Sequence, residues 1–203
     1  AWTKREMFAQ DLEGKRFLER TLLPDKDFRT PKLLMTNTLV DFKVSAKEVG
    51  GKIKLTRQLS KNAIEEETFD VHPELVIPGG VIDMIRSQWD ELAAGESKVW
   101  RMVAPARLDW FSVQVRSEGK MTVKGREVLR VVLEPDSWLA RLIVKGLIFD
   151  MDLKTRALAH YKGVGMYSRA GEEPESIELF FPGELPNVPP AALPATKSPV
   201  QTT

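Results

Sequence analysis

The sequence predicts a mainly β, α+β chain: a strongly curved antiparallel sheet or half-barrel with one main helix and one short helix. Three observations lead there. Roughly eight to ten segments alternate apolar and polar residues and are joined by tight turns, as strands exposed on one face do. Only one stretch, Val81 to Leu92, carries a long helical stripe. One good helix cannot cover both faces of so wide a sheet, so a single apolar face has to close on itself.

The elements follow in chain order. Phe8 and Leu12 have helical spacing, but Asp11-Leu12-Glu13-Gly14-Lys15 is a tight-turn sequence, and Trp2 to Thr21 is expected as a hairpin. Pro24 and Pro31 mark irregular chain. Val40, Phe42 and Val44 then alternate with Asp41, Lys43 and Ser45. Gly50-Gly51 turns the chain, and Ile53, Leu55, Arg57 and Leu59 alternate on the return, which makes this the clearest hairpin. Glu66 to Val71 reads as another strand, ended by Pro73. After Pro78-Gly79-Gly80, the stripe Val81, Ile82, Ile85, Trp89 and Leu92 predicts a helix with Asp83 in its first turn and Gly95 at its end.

Lys98 to Val103 reads as a strand broken by Pro105. Phe111 to Val115, Met121 to Val123 and Arg126 to Leu133 follow as turn-linked strands. Asp136-Ser137 is a cap signal before the stripe Trp138-Leu139 and Leu142-Ile143, which predicts the short helix. Ile148 to Leu153 alternates again, the turn Asp152-Leu153-Lys154-Thr155 returns the chain through Leu158 to Tyr161, and Ser176 to Phe181 is the last strand. Residues 1–181 thus form one curved-sheet domain. Residues 182–203 hold six prolines among Ala, Thr and Ser and read as an extended tail, either a linker or an arm laid along a groove.

Composition excludes several functions. Thirty basic residues stand against twenty-nine acidic ones, a net charge of +1, with no separate basic block, so nucleic acid is not an expected partner. No run of eighteen apolar residues offers a transmembrane segment. The absence of cysteine removes disulfides and thiolate chemistry and is compatible with an oxidising compartment. A start at Ala1-Trp2-Thr3 fits a mature secreted chain or a shortened one.

The segments Val103-Ala104-Pro105-Ala106-Arg107-Leu108-Asp109-Trp110, Glu134-Pro135-Asp136-Ser137-Trp138-Leu139 and Asp150-Met151-Asp152-Leu153-Lys154-Thr155-Arg156 through Tyr161-Lys162-Gly163 resemble an uncharacterised family of exported bacterial proteins, over Pro78 to Gly165. The layout is also similar to the lipoprotein carriers LolA and LolB, whose open half-barrel holds an acyl chain with helices in its mouth. That resemblance implies an exported, periplasmic carrier, although no carrier-specific motif is present.

Candidate chemistry is sparse. His72 and His160 have no HxH or HxxxH spacing, so no metal is expected, and both read as surface or half-buried residues. No serine lies in a GxSxG turn. Asp150 and Asp152 share a strand face and have the chemistry of an acid–base pair, but read more simply as exposed carboxylates leading into a turn. Trp89, Trp100, Trp110 and Trp138 either line an apolar cavity or pack the core. Arg101, Arg107 and Arg141 either hold a polar head group beside such a cavity or lock loops to Asp109, Asp136 or Glu134. These seven residues form the candidate ligand-binding set, with no catalytic residue and no cofactor. The expected function is a periplasmic or secreted protein that binds or carries an apolar, lipid-like or acyl-chain ligand. The alternatives are an envelope interaction module that meets a protein partner through a strand edge and the tail, and then a hydrolase-like enzyme acting through Asp150, Asp152 or His160.

Overall fold

A computed structural model of the chain describes residues 4–10, 16–23, 32–38, 41–137, 146–164 and 176–181. Six strands, β1 (Arg5–Gln10), β2 (Arg16–Leu23), β3 (Lys32–Asn37), β4 (Phe42–Val49), β5 (Lys52–Leu59) and β6 (Glu65–Asp70), form an antiparallel meander. Seven more build a second, curled half-barrel sheet: β7 (Leu75–Val76), β8 (Lys98–Ala104), β9 (Asp109–Val123), β10 (Arg126–Pro135), β11 (Leu147–Asp152), β12 (Leu158–Val164) and β13 (Ser176–Phe180). Only β7 with β8 is parallel, and the helices α1 (Val81–Ser87) and α2 (Trp89–Ala93) fill that crossover.

The fold is mainly antiparallel β, as expected, but its strands divide between two sheets instead of lying in one. Turn chemistry sets the registers. Gly50 and Gly51 (φ +59° and +78°) supply the left-handed pair that a two-residue turn needs, which pairs Val49 with Lys52. The hairpin expected at the N-terminus is present as β1 and β2.

Two apolar clusters hold the layers. Leu22, Leu33, Ala46, Ile53 and Leu55 of the first sheet close on Leu75, Ile77 and Val103 beside and within the second. On the inner face of the half-barrel, Trp100, Val113, Val115, Leu129, Val131, Phe149 and Met151 close on Val81, Met84, Ile85, Trp89 and Leu92. Each fully buried side chain of this size is worth about 1.5–3 kcal/mol. The helix pair is therefore firmly seated.

Three expectations change. The helix is interrupted at Gln88, whose backbone leaves the helical region (φ −111°). Ile85, Trp89 and Leu92 keep their spacing across the break, so the apolar stripe does not reveal it. Residues 111–123 are not two strands but part of one, β9. At Ser117–Gly119 the chain bulges opposite Arg130/Val131, with Gly119 at φ +90°, and continues without turning back. β3 was hidden from pattern reading because Leu34 points outward and is exposed, which spoils the alternation of Leu33 and Met35. The short helix expected after Asp136 and the proline-rich segment 182–203 lie outside the described residues.

Candidate functional site

The most organised polar cluster lies on the outer face of the half-barrel. Register places Gly119, Arg130, Asp150, His160 and Phe180 in one row across β9, β10, β11, β12 and β13. Arg130 donates to both oxygens of Asp150, at 2.7 and 2.8 Å, in a bidentate fork. Asp150 Oδ2 also lies 2.6 Å from His160 Nδ1, and His160 Nε2 lies 3.0 Å from Glu178 Oε1 on β13. Phe180 stacks on the imidazole with ring centres 4.5 Å apart, and the Lys124 ammonium sits over Phe180.

Asp150 and His160 are 0 % and 3 % exposed, so neither is the surface or half-buried group expected from sequence. The reason is the row itself: strands on both sides bring Arg130, Glu178 and Phe180 against them. Burial works to raise the Asp150 carboxyl, but the hydrogen bonds and charges of Arg130 and His160 outweigh it and hold that carboxyl below the ordinary value. The bond from Asp150 also raises the Arg130 guanidinium.

One step along the face, Arg126 donates to Asp152 Oδ2 at 3.1 Å. Asp152 Oδ1 accepts from the backbone of Lys154 and Thr155 and from the Thr155 hydroxyl. Burial again raises the carboxyl, and these donors together prevail, so Asp152 too is lowered. The turn expected after Asp152 is thus closed by its own side chain.

This cluster does not have the layout of a nucleophile–histidine–carboxylate triad. In a triad one histidine nitrogen faces a carboxylate and the other a nucleophile. Here both nitrogens face carboxylates. No group of three or more His, Asp or Glu side chains among the described residues is arranged to hold a metal ion.

Two of the tryptophans share the helix-facing core and a third lies apart from it. Trp100 is fully buried and donates from Nε1 to Gln88 Oε1 at 2.9 Å, while Trp89 packs in the same core beneath the Arg156 guanidinium. Trp110 is half-buried with Arg101 stacked 4.8 Å from its ring centre. Arg107 is exposed on the short 3-10 turn Pro105–Arg107. Trp138 and Arg141 lie outside the described residues. Asp109 receives its own neighbour's N–H, from Trp110, and Glu134 pairs with Arg116.

A second region was not singled out by sequence. On the inner face, Leu147, Leu158 and Tyr161 are only half-buried where they pack at the margin of the core cluster. Register extends this strip to Ile177 and Leu179 on β13, the latter 44 % exposed. Phe181 at the end of the strand is 37 % exposed. Tyr161 lies over Gly163, where a Cβ would stand 2.7 Å from its hydroxyl oxygen, and donates to the Val164 carbonyl. Burial raises the Tyr161 phenol.

Family models, curated proteins and solved structures all return nothing similar. The residues' own geometry therefore has to carry the functional reading. The signal for the polar row was present at Arg130, the one charge within Val128-Leu129-Arg130-Val131-Val132-Leu133, since a cation in so apolar a strand needs a partner. Glu178 and Phe180 gave no such signal.

Proposed function

We propose that the protein is a non-enzymatic binding or carrier protein of the cell envelope that takes an apolar or acyl-chain ligand on the inner face of its half-barrel, at the β11–β13 end. The observation that carries this reading is the half-covered strip of Leu147, Leu158, Tyr161 and Leu179 beside the seated helices. The helices occupy the β8–β11 part of that face, so the ligand meets the strip and not the tryptophan core. Removing apolar surface from water supplies affinity at about 25 cal/mol per Å² before association costs. Protein purified without detergent is expected to carry a lipid-sized adduct in native mass spectrometry and to bind a fluorescent fatty acid, and Leu179→Glu to weaken that binding with the fold intact. A protein that stays empty and ignores the probe refutes the reading.

A second reading rests on the edge of β13. Its outer ladder groups have no strand beside them among the described residues, and Phe180, 43 % exposed, adds apolar surface on the opposite face from Leu179. Such an edge suits an envelope protein partner that adds a strand. In this reading the edge and residues 182–203 meet the partner together, so deleting residues 182–203 abolishes capture of that partner and leaves folding unchanged; unaltered capture counts against it.

A further inference from the structure

We propose that His160 is a proton-operated latch for the edge strand β13, closed when the imidazole carries both protons and released when it carries one. The latch stands independently of any ligand.

The imidazole's donors set the latch. Nδ1 faces Asp150 at 2.6 Å and Nε2 faces Glu178 at 3.0 Å, and both partners are carboxylates able only to accept when ionised. A ring with two protons satisfies both. A ring with one proton satisfies one and turns a nitrogen lone pair toward the other carboxylate. Asp150 keeps the remaining proton, because it is fully buried and fixed by the Arg130 fork. Glu178 is the partner that lets go: its side chain is 47 % exposed, and its register neighbour on β12 is Lys162.

What lets go is an edge. Among the described residues, β13 pairs on one side only, with β12. Besides that ladder, the side-chain ties to it and to Phe181 just past its end among the described residues are His160 to Glu178, the stack of His160 on Phe180, Lys124 over Phe180, and Arg126 to the Phe181 carbonyl at 2.9 Å. Two of these four involve the imidazole. A cationic ring is also the better neighbour for the Phe180 π face.

The charged groups around the latch come from every adjoining element: Asp150 from β11, Arg130 from β10, Glu178 from β13, Lys162 on β12 itself, and Lys124 in the β9–β10 turn. Glu118 of β9 acts on Arg130, and the Arg126–Asp152 pair lies one row away. Asp150 and Arg130 neutralise each other, which leaves the exchange between His160 and Glu178 to answer the proton.

The test uses the full chain, labelled for NMR and titrated until the ring signal of His160 has passed from its doubly to its singly protonated form. The ring Cε1–H signal of His160 reports its titration, and amide exchange protection factors report opening of Ile177 to Phe181 against Val128 to Val132. Protection in β13 is expected to fall on the order of tenfold as the ring loses its second proton, with β10 unchanged, the scale of one partly exposed charge-assisted hydrogen bond. Glu178→Gln is expected to flatten the profile, because its amide accepts from one form of the ring and donates to the other. The proposal is overturned if β13 protection ignores the titration, if both strands lose protection together, or if Glu178→Gln keeps the wild-type pH dependence.

Discussion

Replacing Asp150 by Asn is the most direct test of what the outer-face row contributes. The substitution keeps the shape and removes the charge. Three short contacts converge on the native carboxylate, two from Arg130 and one from His160. An amide offers one oxygen in their place, and its nitrogen turns a donor toward donors. Removing one member of a buried pair costs about 3–5 kcal/mol. Arg130 is 23 % exposed and regains some hydration, which brings the expectation to the lower end, about 3 kcal/mol. For a chain of this size that lowers Tm by about 6–12 °C, at about 2–4 °C per kcal/mol.

The pH profile sharpens the test. The folded Asp150 carboxyl titrates below its unfolded counterpart, so its contribution is complete above about pH 4 and is lost as pH falls through the folded value. Urea unfolding at several pH values should therefore show wild type and Asp150→Asn converging in acid and separated near neutrality. Curves that differ by less than about 0.5 kcal/mol at neutral pH, or that run parallel into acid, would refute the reasoning.

Two further substitutions probe the inner face. Trp100→Phe leaves Gln88 Oε1 without its indole donor and opens a void beneath the helices, and is expected to cost about 2–3 kcal/mol in chemical unfolding. Gly163→Ala sets a methyl group 2.7 Å from both Leu147 Cδ2 and the Tyr161 hydroxyl oxygen. It is expected to displace the Tyr161 ring at a cost of about 1–3 kcal/mol, read from the urea midpoint and from loss of near-ultraviolet tyrosine signal.

The contrast between what the sequence reveals and what it conceals has physical causes. The β4–β5 hairpin was legible because Gly50-Gly51 and strict alternation say the same thing. The break at Gln88 was not, since a helical stripe records which side is apolar and not whether each hydrogen bond is made. Ser117 to Gly119 looked like a turn because glycine marks turns and bulges alike. Asp150 and His160 were visible as residues but not as a pair, because their contact depends on the register between β11 and β12, which slips by one residue just beyond Asp150. Arg130 was the clue that the apolar strand around it hid.

Every strand pairing in the described chain joins neighbours in sequence, from β1 with β2 to β12 with β13. Such a chain has little loop closure to overcome and suits assembly hairpin by hairpin during synthesis, first sheet before second. The cover for Leu33, Ala46, Ile53 and Leu55, however, comes from Leu75, Ile77 and Val103. Until the ribosome has released the chain past that point, a nascent meander waits with its oily side bare, and this is the interval in which a chaperone has most to do.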